Sequence, residues 1–245
     1  MYRTLASKYI VSTLETLSRR IQERFPGSSL GHVSEELLQI ARQSEGRMRR
    51  LRRPRWLVRL GTLAITLTIV ALAAAAVVSV QVKVDLLLVE NVAELAQGLE
   101  AVVNEIILLA LALFFVGSLE GRIKRREALA ALHELRSIAH VIDMHQLTKD
   151  PEVVVTQGTA TPSSPERTLT PFLLSRYLDY CSELLSLVSK LSALYAQHMR
   201  DAVVLAAVND LESLTDGLSR KIWQKLIVLG AGLTKRQDPA GADPH

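Results

Sequence analysis

Two stretches interrupt the mixed polar and apolar pattern of this chain. From Leu60 to Val80 the sequence reads LGTLAITLTIVALAAAAVVSV, without one charged residue. About 20 such residues make roughly 30 Å of helix, the thickness of a bilayer core. The second run, IILLALALFFVGSL over 106–119, reaches spanning length when extended back through EAVVNE to Ala101. It then takes in Asn104 and Glu105, which are expected near the outer interface. Between the runs, Leu88, Val92, Leu95, Leu99, Val102 and Ile106 recur at spacings of three and four, one apolar stripe on a helix. Either the second helix begins near Leu86 and runs unbroken to about Arg126, or residues 86–98 lie flat on the interface and break at Gly98.

Elsewhere the pattern is that of amphipathic helices. Leu5, Tyr9, Ile10, Leu14, Leu17 and Ile21 form one apolar face, broken by FPGSSLG at 25–31. A second helix is expected from about Val33, with Val33, Leu37, Leu38 and Ile40 as its apolar residues. After the second span, Leu132, Leu135, Ala139 and Ile142 share a helix face, and Pro151 stops that helix. EVVV (152–155) suits a brief extended segment, and TQGTATPSSPE has the composition of a mobile loop. Thr170 then offers an N-cap with Pro171 at the first helical position. Two further helical patterns, separated near Arg200–Asp201, should form an antiparallel hairpin. A polar, disordered tail is expected after residue 233.

The fold class is therefore all-α: an integral membrane protein with a two-helix transmembrane hairpin and a cytoplasmic helical bundle. Its expected parts are an N-terminal helical hairpin with a basic juxtamembrane run (1–55) and the transmembrane hairpin (56–126). A continuation helix (127–151), a flexible loop (152–169), a C-terminal helical hairpin (170–233) and the tail (234–245) follow.

Charge adds an orientation. The net charge of the 245 residues is only +4, but it is unevenly spread. Arg47, Arg49, Arg50, Arg52, Arg53 and Arg55 precede the first span; Arg122, Lys124, Arg125 and Arg126 follow the second. The connection carries Lys83 against Asp85, Glu90, Glu94 and Glu100. Lys and Arg are retained on the cytoplasmic side during insertion, so both termini are expected in the cytoplasm, at the cell (inner) membrane. Trp56 suits an interfacial anchor, and Arg59 can snorkel to the headgroups. The arginine run abuts a span and lacks interleaved aromatics, which favours anionic lipid headgroups over nucleic acid as its partner. The N-terminus has no apolar core or cleavage site of a secretory signal. Cys181 is the only cysteine, which excludes an internal disulfide and any cysteine-rich metal centre.

Two spans make a poor self-sufficient bundle. The ALAAAA segment (71–76) and the small-xxx-small pair Gly117 and Gly121 would allow close helix packing, so a homo-oligomer is expected. Glu105, ringed at an outer mouth of such an oligomer, could attract cations, but the favoured reading is that it is simply interfacial, with Asn104 beside it near the outer part of the bilayer.

The chemistry-bearing stretch is ALHELRSIAHVIDMHQLTKDP (131–151). On a helix, His133, Arg136, His140 and Asp143 form a stripe beside the apolar face, with Glu134 at its edge and His145 pointing elsewhere. His133, His140 and Asp143 are candidate metal ligands, but one helix cannot close a zinc site. The competing view is a polar face packed on the C-terminal hairpin, with His and Asp satisfying each other. No HExxH, phosphate loop or nucleophile elbow occurs. The Arg136–His140 spacing resembles the R-x4–6-H of HEPN ribonucleases but is one residue shorter, so no function carries over. Trp223 is expected in the core, and Arg220, Lys221 and Lys225 could meet headgroups or anionic partners.

The leading functional reading is a non-catalytic, oligomeric, membrane-anchored module for assembly or signalling, needing no cofactor. A cytoplasmic protein or small ligand is its further partner class. The layout resembles bacterial two-span effectors in which a cytoplasmic domain gates or assembles a membrane hairpin. The alternatives are an oligomeric ion channel or pore, and a membrane-tethered metal-dependent hydrolase.

Overall fold

The structure, a computed structural model, describes residues 5–52, 56–86, 92–149, 151 and 169–237. These residues are 92% helical, with no strand among them. The helices are α1 (Ser7–Arg24), α2 (Ser29–Arg52), α3 (Trp56–Leu86), α4 (Val92–Gly117), α5 (Leu119–Leu147), α6 (Pro171–His198) and α7 (Ala202–Gln237). The chain divides into two compact units. One comprises residues 1–52 with 127–245, the other residues 53–126. The extended segment expected at 152–155, the flexible loop up to residue 168, and most of the tail lie outside the described residues. α7 itself continues to Gln237, past the expected start of the tail.

In the first unit, α1 buries Ile10, Leu14, Leu17 and Ile21 on one face. Tyr9, assigned to that face by spacing, is instead 60% exposed. It lies one residue before Ile10, hence 100° round the helix, and the ring reaches solvent. The turn after α1 is shorter than FPGSSLG suggests. Phe25 N–H donates to Ile21 O at 2.8 Å, Gly27 takes the left-handed conformation (φ 68°), and Ser28 Oγ accepts from Gly31 N–H at 3.2 Å. That bond satisfies one orphan donor of the next helix, so α2 starts at Ser29 and not near Val33. Ser18 and Ser34 join α1 to α2 through a buried hydroxyl pair at 2.9 Å. Ser34 Oγ donates to Gly31 O, so its one proton is used and Ser18 is the donor to it.

α6 is the central helix. Thr170 Oγ1 accepts from Leu173 N–H at 3.2 Å, with Pro171 opening the helix as its sequence requires. Buried residues follow on several sides, among them Leu178, Cys181, Leu184, Leu185, Val188 and Leu191. A helix apolar over so wide an arc must be surrounded. α6 packs against α1, α2 and α7. Phe25 sets its ring edge-on to Tyr177 and Tyr180, with centroids 5.4 and 6.2 Å away. α7 begins after Asp201, whose Oδ1 accepts from the backbone N–H groups of Val203 and Val204. It buries Val204, Val208, Leu211, Thr215, Leu218, Ile222 and Leu229. α5 contributes Leu132, Leu135, Ala139 and Ile142 to the same core, the face its spacing predicts.

In the second unit, α3 and α4 pack together as a hairpin. Arg59 Nε, near the start of α3, donates to Glu120 Oε2 just past the end of α4 at 2.9 Å, so the helices run antiparallel. Among the described side chains of α3, Ala73, from the alanine-rich segment, is buried. Gly117 and Gly121 leave their surroundings open: a Cβ added at either meets nothing within 4 Å. Gly98 lies inside α4, so the alternative with a break at that glycine is excluded. The step from α4 to α5 is one residue wide. Ser118 N–H donates to Phe114 O and Arg122 N–H to Ser118 O, both at 3.1 Å, so the helical ladder bridges Ser118. Val58–Ala75, and a stretch beginning at Val103, are long and apolar enough to cross a membrane.

Candidate functional site

The stripe singled out on α5 faces solvent. His133, Arg136 and His140 are exposed, and Asp143 is half-buried. Asp143 Oδ1 accepts from Gln146 Nε2 at 2.7 Å, a neighbour on its own helix and not one of the histidines. Among the described residues no group of three or more His, Cys, Asp and Glu is placed to hold a metal ion. The proposed trio His133, His140 and Asp143 is thus given no further ligand by another described element.

The contacts are made by residues flanking the stripe. Arg47 of α2 donates from both terminal nitrogens to Glu134 of α5, at 2.6 and 3.1 Å. Its side chain is only 17% exposed against 44% for Glu134. The hydrogen bond to Glu134 raises the Arg47 pKa above its ordinary value despite desolvation. His145 Nδ1 and Ser29 Oγ lie 3.2 Å apart and link α5 to the start of α2. Arg50 pairs with Glu127 at 3.6 Å near the other end. Polar and ionic side-chain contacts therefore link α2 and α5 at three levels.

The end of α5 is held by a residue whose role spacing did not reveal. Lys225 Nζ donates to Gln146 O at 2.7 Å and to Lys149 O at 3.2 Å. Gln146 O, in the last turn of α5, also accepts from Lys149 N–H at 3.1 Å, and Lys149 O lies just past the helix end, where a positive charge suits the dipole. One signal was legible. The buried series 204, 208, 211, 215, 218, 222 and 229 on α7 skips position 225, where spacing calls for an apolar residue. A lysine on an apolar stripe buries its stem and needs an acceptor for its head. Trp223, by contrast, is 61% exposed and not in the core, because it is rotated 100° from Ile222, which is fully buried. Arg220 pairs with Asp216 at 3.1 Å on the same helix.

The buried ionisable groups serve packing. Burial pushes the Cys181 thiol up to about 12, so it stays protonated and unreactive at neutral pH. Burial likewise raises the Tyr177 phenol, and it raises Tyr195 against the pull of Arg47. Burial acts in the same sense on Tyr180, but hydrogen bonds from Arg176 and Arg24 outweigh it and hold that phenol below its ordinary value. Arg176 and Arg20 also lie over the Tyr180 ring, at 5.0 and 5.5 Å from its centroid. A surface depression of 690 Å³ near Leu5, Met48 and Leu194 is rimmed by Lys8, Arg49 and Glu45. Charges of both signs there select no one ligand class.

At the base of the hairpin, Glu120 accepts from Arg59 and Lys124, each at 2.9 Å, and its side chain is 18% exposed. Arg122 lies over the Phe115 ring at 4.7 Å. Of the basic residues expected at headgroups, Arg49 pairs with Glu45 at 2.6 Å. Arg122 and Arg126 are exposed, and Arg53 and Arg55 lie outside the described residues. No protein-family model matches the chain, and neither a curated protein nor a solved structure is similar to it.

Proposed function

We propose that the protein is a non-catalytic, homo-oligomeric membrane module: α3 and α4 cross the bilayer as a hairpin, and the bundle is its cytoplasmic assembly or signalling domain. One observation carries this reading. From Leu60 to Phe115, thirteen large apolar side chains of the described residues are exposed, Leu67 at 61% and Phe114 at 72% among them. At about 1.5–3 kcal/mol for each fully buried side chain, leaving them in water would forgo on the order of 10–20 kcal/mol. That equals the whole stability of an ordinary domain. The core helix of a soluble protein would hide this surface.

Lengths agree with the reading. Arg59 and Glu120 mark one boundary; about 20 residues, or roughly 30 Å, further along the helices lie Ser79 on α3 and Glu100 on α4. The basic flanks put the Arg59–Glu120 end on the cytoplasmic side. Exposed histidines on α5 and protonated buried thiol and phenol groups favour an interaction role over catalysis.

The test is extraction of membranes with alkaline carbonate, which strips peripheral proteins. The full chain should stay in the pellet and dissolve only in detergent. Release into the supernatant contradicts the proposal.

A further inference from the structure

We infer that α4 carries the seam on which two copies of this chain pair within the membrane, with Asn104 meeting Asn104 of the second copy; this rests on the hairpin spanning the bilayer. The side of α4 toward α3 is marked by the half-buried Leu109, Ala112, Leu113 and Val116, with Glu120 following on the same side at the start of α5. At 100° per residue, Asn104, Leu108, Leu111 and Phe115 form a second stripe centred about 130° round the helix from them. Leu108, Leu111 and Phe115 are 62%, 63% and 54% exposed, and Asn104 is exposed too. Their spacing of four, three and four is that of a coiled-coil seam with one polar position.

Depth makes the polar position decisive. Asn104 is 16 residues from Glu120, about 24 Å along the helix, and therefore about 6 Å inside the outer edge of a 30 Å core. Side chains lean toward the helix N-terminus, here outward. Glu105 is long enough to bring its carboxylate to the outer headgroups by that route. The shorter Asn104 amide is not, and α3 lies on the other side. Lipid offers it no hydrogen bond. Two copies in one bilayer are related by an axis along the membrane normal, so each residue meets its own counterpart at equal depth. Self-pairing needs a donor and an acceptor in one side chain. The amide has both, whereas a carboxylate has only acceptors. The occupant that fits this face is thus a second copy, in parallel and in register.

The experiment is oxidative crosslinking of single-cysteine variants of the full chain in native membranes, with carbonate extraction of the same sample. Cys181 is buried and contributes no background. A disulfide needs Cβ atoms about 3.5–4.5 Å apart, so crosslinking reports the face. Leu108→Cys and Leu111→Cys should give dimers, and Ile106→Cys, exposed but off the seam, should not. In nanodiscs, Asn104→Leu should raise the dimer dissociation constant about 3- to 30-fold, and Asn104→Gln should restore pairing. Membrane-retained protein that crosslinks at Ile106→Cys, or at none of the three, overturns the seam and leaves the spans standing. Release by carbonate overturns both.

Discussion

The Arg47–Glu134 pair makes the link between α2 and α5 testable. Glu134→Gln keeps the size of the side chain and removes its charge. The guanidinium, 17% exposed, then loses a two-pronged ionic partner. Hydrogen bonds to charged groups contribute about 1.5–3 kcal/mol. Glu134 is 44% exposed, and solvent screening moves the pair toward the lower part of that range. A loss of about 2 kcal/mol is expected. For a chain of this size that lowers Tm by about 4–8 °C. Arg47→Met should cost at least as much, since Arg47 also donates to Gln43 at 3.1 Å. The assay is a double-mutant cycle on the full chain in detergent, read by thermal and urea unfolding. The coupling energy should be about 1–2 kcal/mol, the range for residues in direct contact. A coupling indistinguishable from zero would refute the reasoning and leave the pair a surface contact without energetic weight.

Other outcomes follow from the same structure. Lys225→Met should lower stability by about 1–3 kcal/mol, because two carbonyls at the end of α5 lose a charged donor; unchanged unfolding in urea would show that water replaces it. Cys181 should resist maleimide in the folded chain and react once the chain is unfolded. Its folded pKa, about 12, lies above the ordinary 9.0, so its contribution to stability is complete below pH 9 and is lost as pH rises toward 12. Tyr177 and Tyr195 are shifted in the same direction and steepen the loss. Stability that holds steady from pH 9 to 12 would count against the burial of all three.

Much of this architecture was legible because periodicity reports burial. The α5 core face and the Thr170–Pro171 helix start need only local information, and both appear in the structure where spacing places them. Tyr9 and Trp223 show the limit. Each is apolar and adjacent to a buried isoleucine, and a single 100° step decides its fate. α2 starts earlier than its apolar spacing implies because Ser28 acts as a cap inside a segment that reads as a break. The α5 histidine stripe stands out in composition, but the contacts of that helix are made by residues of other elements. Arg47 and Lys225 reach α5 from 87 and 79 residues away in sequence, and no local pattern encodes such pairings.

Reporter cysteines probed with a membrane-impermeant maleimide bear on the hairpin and both flanks at once. Glu100→Cys lies on α4 at the outer boundary of the proposed span, and His133→Cys and Arg200→Cys lie at exposed positions of the bundle. In intact cells Glu100→Cys should react at once, and the other two only after permeabilisation. Reaction of Arg200→Cys in intact cells, or protection of Glu100→Cys until the membrane is opened, would contradict a hairpin with both flanks in the cytoplasm.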